Sequence, residues 1–108
     1  MAFWNEAEFK TVVPVPGITR KLVTAGEKTM AVRITMANGS TVDIHTHPHE
    51  QVGFVLSGAL HMTIGDETQL IKPGDSYAIL PNVPHGALAA EDSVVVDIFA
   101  PIREEYLD

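Results

Sequence analysis

The 108-residue chain contains no cysteine, which excludes a disulfide framework and any thiolate metal site. Cations are scarce as well. Seven Lys and Arg stand against 14 Asp and Glu, for a formal net charge of −7. Such a charge repels nucleic-acid phosphates, and Lys10, Arg20, Lys21, Lys28, Arg33, Lys72 and Arg103 are too scattered to form a basic stripe. No nucleic-acid partner is expected. No apolar run approaches the roughly 20 residues of a membrane-spanning helix. The first ten residues, which carry Asn5, Glu6 and Glu8, do not read as a signal peptide. The expectation is a cytoplasmic protein without a membrane partner. A small anionic ligand is still allowed, because one arginine or one metal ion outweighs a distant net charge.

What the chain does contain is punctuation. Gly17, Gly26, Gly39, Gly53, Gly58, Gly65, Gly74 and Gly86 divide it into short runs, the pattern of an all-β sandwich or barrel. Thr29 to Met36 alternates as a strand. Val52 to Leu56 is a dense apolar run ending at a Ser57–Gly58 turn. Leu60, Met62 and Ile64 alternate with His61 and Thr63, so this strand has one wet face, and His61 belongs to it. Thr68 to Ile71, Ser76 to Leu80 and Val94 to Ala100 complete the clear strands. A weak helical turn lies in Ile102 to Leu107. One domain over residues 1–108 is expected, with a barrel core at about 29–100, an N-terminal arm over 1–28 and a short tail over 101–108. Closure into a barrel would remove the exposed edges of so many short strands.

The chemistry concentrates in two places. His45 and His47 are two apart, and in a strand such side chains share a face, as two neighbouring ligands of one ion require. Pro48 then interrupts the strand and frees the next residues to present a third ligand. His85 follows a Pro81–Asn82–Val83–Pro84 turn that would aim its imidazole. A lone histidine on a strand is more often an edge or surface residue than a ligand. His49, beyond the proline, reads as a surface residue or a support for the ligands. The second place is Asp97. It sits inside the apolar run Val94 to Ala100, where burial raises a carboxyl pKa and suits it to proton transfer. Arg103 can pair with it or grip a substrate carboxylate. A structural Asp97–Arg103 ion pair, or an Asp97 facing solvent, is the plainer alternative.

These residues resemble the motifs of the cupin superfamily. In the first motif, G-x5-H-x-H-x3-4-E-x6-G, the chain supplies Gly39, His45, His47 and Gly58, with Gln51 at the position usually held by Glu. Glu50 is one residue early and would point away. In the second, G-x5-P-x-G-x2-H-x3-N, it supplies Gly74 and His85, while Leu80, Asn82 and Ala89 depart from the pattern. Asn82 can take over the turn because Asn tolerates positive φ. The resemblance implies a jelly-roll barrel, the double-stranded β-helix of cupins. It also implies one divalent transition metal (Zn, Ni, Mn or Fe) on His45, His47, Gln51 and His85. Cupin barrels commonly pair, so a homodimer is implied too. Phe3, Trp4, Phe9, Val12 and Val13 could line that interface or cap the barrel's own core.

Within the cupins, the segments 45–51, 81–86, 91–93 and 97–107 look most like the small KdgF-type proteins of pectin and alginate degradation. Those proteins convert 4,5-unsaturated monouronates to linear keto sugars. The resemblance would place Asp97, Phe99 and Arg103 around a small anionic sugar, with Asp97 and Arg103 catalytic and Phe99 and Arg103 binding substrate. The neutral Gln51 leaves the ion's charge uncompensated, which favours Lewis-acid chemistry over the two-His-one-carboxylate set of oxygen-activating iron. A metal-dependent dioxygenase and a non-catalytic metal- or sugar-binding cupin are the alternatives.

Overall fold

The computed structural model describes residues 2–107. Met1 and Asp108, the two ends of the expected domain, lie outside the described residues. Ten strands follow in order: β1 (Thr11–Val15), β2 (Ile18–Ala25), β3 (Met30–Met36), β4 (Thr41–His45), β5 (Glu50–Ser57), β6 (Leu60–Ile64), β7 (Glu67–Ile71), β8 (Ser76–Ile79), β9 (His85–Ala89) and β10 (Ser93–Ala100). Short 3-10 turns at Glu6–Glu8 and Glu104–Tyr106 flank them. The strands form two antiparallel sheets, β1-β2-β3-β10-β5-β8 and β4-β9-β6-β7. This is the expected cupin jelly roll.

Residues 11–25, expected as part of an arm outside the barrel, instead form β1 and β2. These strands add to β3 at one side of the larger sheet, with Leu22 opposite Val32. Their short, mixed apolar and charged sequences alternate weakly, and pairing with β3 is what makes them strands.

Alternation decides which face each strand buries. On β10, Ser93, Val95, Asp97 and Phe99 point inward, while Val94, Val96 and Ile98 are half-buried on the other face. On β5 the inward residues are Gln51, Gly53 and Val55. The apolar run expected as a core strand therefore splits: Val52, Phe54 and Leu56 are exposed on the outer face.

Cross-strand register divides the interior into levels. One end holds His85 opposite Ile64, Gln51 opposite Phe99, and Phe99 opposite Met30. The next level sets Gly53 and Val32 either side of Asp97. Beyond it come Leu60 with Ala89 and Val55 with Val95, then Met36 with Ile18. Ile18, Met36, Val55, Leu60 and Val95 belong to one buried cluster, while Met30, Val32 and Phe99 form another. The first cluster is the hydrophobic floor on which the functional end rests.

Candidate metal centre

His45 is the last residue of β4 and stands opposite His85, the first residue of β9. His47 is not on the strand with His45, as strand spacing suggests. β4 stops at His45, and the chain between Thr46 and His49 is irregular. Pro48, which has no N–H to donate, suits that break. His47 is held by the second motif instead: the Asn82 N–H donates to the His47 carbonyl at 2.9 Å. Asn82 adopts the positive φ expected of it, 65°, so the turn that aims His85 also anchors His47.

The three imidazoles converge. Ring centroids lie 4.3 Å apart for His45–His85, 4.7 Å for His47–His85 and 5.6 Å for His45–His47. One ring nitrogen from each falls within 4.8 Å of the others. Their orientation has one cause repeated three times. Nδ1 of His45 donates to the Asp43 carbonyl at 2.8 Å, that of His47 to His49 at 3.0 Å, and that of His85 to Val83 at 2.9 Å. A carbonyl only accepts, so each Nδ1 carries the proton and each neutral ring presents an Nε2 lone pair. Burial lowers the pKa of His47 and of His85 and keeps both rings neutral. The Arg103 charge assists at His47.

Two observations fit this donor set to a cation. The buried Nε2 of His85 has no hydrogen-bond partner. The Nε2 of His47 lies 3.1 Å from Oε1 of Gln51, so a ring lone pair faces an amide oxygen. Two acceptors at that range are reconciled by a positive ion between them. The Gln51 side chain also opposes the rise that burial imposes on the Asp97 pKa; only its N–H group can do so, which leaves the amide oxygen for His47.

Asp97 is 6% exposed, and burial raises its pKa. It is neither solvent-facing nor ion-paired with Arg103. Among the described residues its strongest partner is Tyr77, whose hydroxyl donates to Oδ1 at 2.5 Å. Gly53 of β5 lies between the two and makes this possible. A Cβ there would fall on Asp97 Oδ1 and on the Tyr77 ring. Arg103 stacks instead on aromatic faces, its guanidinium carbon 5.0 Å from the Phe99 centroid and 4.1 Å from that of Tyr106. Its buried Nε is unpartnered, and Glu105 Oε2 lies 3.7 Å from its terminal nitrogen. The guanidinium of Arg20 lies 3.9 Å from the Tyr106 centroid.

A cavity of about 330 Å³ receives His45, His85, Gln51, Asp97, Phe99 and Arg103. The structure thus brings together the residues expected from sequence. His61 is exposed on β6, and His49 stands outside the three-histidine group, its ring 5.6 Å from that of His47. Tyr77, Gly53, Arg20 and Tyr106 were not anticipated. Only Tyr77 left a signal: alternation in β8 puts it on the inner face with Ile79, and a buried phenol needs a partner.

Residues 32–99 match the cupin domain family. The solved structure of KdgF from Halomonas sp. superposes with a TM-score of 0.92 and 34% identity, over 98% of this chain and 100% of that one. An RmlC-like cupin from Shewanella frigidimarina gives a TM-score of 0.93 and 27% identity over 99% and 96% of the two chains. A Bacillus subtilis protein described as an H2HPP isomerase is 43% identical over 60 residues, 55% of this chain. The chain spans about a quarter of the length of that relative, the matched part being 25% of it. The chain belongs to the cupin family, as a small cupin of the KdgF type.

Proposed function

We propose that this cupin opens the ring of 4,5-unsaturated monouronates, giving the linear keto sugar. The observation that carries the reading is convergence: Asp97, Phe99 and Arg103 line the same cavity as His45, His85 and Gln51. The 34% identity to KdgF from Halomonas supports it, as does the isomerase description of the Bacillus relative.

His45, His47, His85 and Gln51 would hold the divalent ion, which supplies Lewis acidity toward sugar oxygens when bound. The neutral donor set leaves that acidity undiminished, which favours isomerisation over oxygen activation. The remaining work belongs to the chain. Arg103, whose Nε lacks a partner, holds the substrate carboxylate. Phe99 packs against a sugar face. Asp97, whose pKa burial raises, delivers a proton to C4. In the overall change the C1 hydroxyl loses its proton and the bond from C1 to the ring oxygen breaks, leaving an aldehyde. The enolate at C4–C5 takes a proton at C4 and becomes the C5 ketone. Atoms and electrons balance, and no oxidant is needed.

The test mixes metal-loaded protein with a lyase-generated unsaturated monouronate and follows the loss of ultraviolet absorbance. Acceleration over buffer is expected. Its absence, with the metal shown to be present, refutes ring opening.

A further inference from the structure

The cavity is chemically divided along the strands. Most of its charged and polar groups stand toward one end, where His85, Gln51, Asp97 and Arg103 meet; Asp43, next to Val42 on β4, also lines it. Past Asp97, register leads to Ile34 opposite Val95, then Met36 and Ile18, which with Leu60 line the same space; Arg20, opposite Ile34 on β2, lines it too but turns its guanidinium onto Tyr106 at the Arg103 end. Val42 and Ala87, paired across β4 and β9, join the two halves. Two hydroxyl-bearing residues line the cavity: Tyr77, whose hydroxyl is taken by Asp97, and Thr41, exposed at the start of β4.

A sugar acid bears hydroxyls around its ring, and a hydroxyl pushed among Ile34, Leu60 and Val95 would lose its water without gaining a partner. That costs about 1–3 kcal/mol per group. A sugar therefore stays at the ionic end, and the hydrocarbon half goes unused. A ligand with an anionic head and an apolar body would use both halves.

We infer that the same cavity takes a second class of ligand, small carboxylates whose body is an apolar ring or chain. The carboxylate sits at the Arg103 end and the body lies among Ile34, Leu60, Met36 and Val95. The inference rests on the proposed function only in assigning the anionic group to that end.

The test is calorimetric titration of the protein as purified, its metal content measured, with phenylpyruvate, pyruvate and galacturonate. Phenylpyruvate should bind at least tenfold more tightly than pyruvate, and galacturonate no more tightly than pyruvate. Val42→Phe, where the two halves join, blocks the hydrocarbon half from β4. It should weaken phenylpyruvate about tenfold and leave pyruvate within twofold. If that variant does not fold, Ala87→Val should act in the same direction. Equal affinity for phenylpyruvate and pyruvate overturns the inference. So does a filling variant that weakens both alike. Uronate turnover on the same preparation scores ring opening separately, so either idea can fail while the other stands.

Discussion

The hydroxyl of Tyr77 reaches Oδ1 of Asp97 at 2.5 Å through the gap left by the missing side chain of Gly53. Three strands must be in register for this. Gly53 on β5 lies opposite Asp97 on β10 and opposite Tyr77 on β8. The bond occupies one carboxyl oxygen.

Gly53→Ala should therefore cost more than a surface Gly→Ala change. The added Cβ meets the Asp97 carboxyl and the Tyr77 ring, two buried side chains that hold one another, and overpacking of this kind costs about 1–3 kcal/mol. Urea unfolding should show a lowered midpoint, with turnover falling in parallel as Asp97 is displaced. A wild-type midpoint would mean that the three strands shift without penalty.

Tyr77→Phe removes one donor from a buried carboxyl group while keeping the ring. A loss of about 1–3 kcal/mol is expected. Asp97→Asn should lower turnover by roughly 10²–10⁴-fold with metal content unchanged. The double variant should be no slower than Asp97→Asn alone, because both changes act on one group. Steady-state rates of the four proteins decide this.

Metal content should follow the geometry of the imidazoles. His85→Ala removes a buried nitrogen that has no other partner, and elemental analysis of the purified variant should find well under one ion per chain. His61→Ala, on the exposed face of β6, should bind as the wild type does. Gln51→Ala should fall between them. Equal retention in His85→Ala and His61→Ala would remove the three-histidine centre from consideration.

The buried histidines should cost the metal-free protein stability in mild acid. His47 and His85 have folded pKa values below the ordinary 6.5, chiefly because both are buried. Below 6.5 the unfolded chain binds protons that the folded chain refuses, so stability rises with pH there. This contribution is complete above 6.5 and is lost as pH falls through the folded values. Asp97, raised above 3.8, acts in the opposite sense: the folded state holds its proton longer, so stability falls as pH rises from 3.8 through its folded value. In Asp97→Asn, which removes the opposing group, unfolding free energies measured downward from pH 7.5 should decline. The decline should be shallower when His85→Gln is added, which removes one of the two titrating rings. Metal affinity should weaken over the same range, since protons compete for Nε2.

Much of this protein is legible along the chain. Strands β3, β6, β8 and β10 follow from period-two alternation and the Gly, Pro and Asn turns between them, which are local properties of sequence. The spacing Gly39–His45–His47–Gln51–Gly58, with His85 after its proline turn, identifies the fold family and the candidate ligands. The convergence of Asp97, Phe99 and Arg103 with those histidines follows from the same resemblance. Tertiary structure decided what depends on neighbours distant in sequence. β1 and β2 are strands because β3 offers them a partner. Val52, Phe54 and Leu56 face outward because Gln51 and Val55 face in. Arg103 stacks on Tyr106 instead of pairing with Asp97, because Asp97 has Tyr77 and Gln51 beside it. Alternation and turn chemistry act over a few residues. Which side chains meet across three strands is set by register, and register exists only once the two sheets have closed on one another.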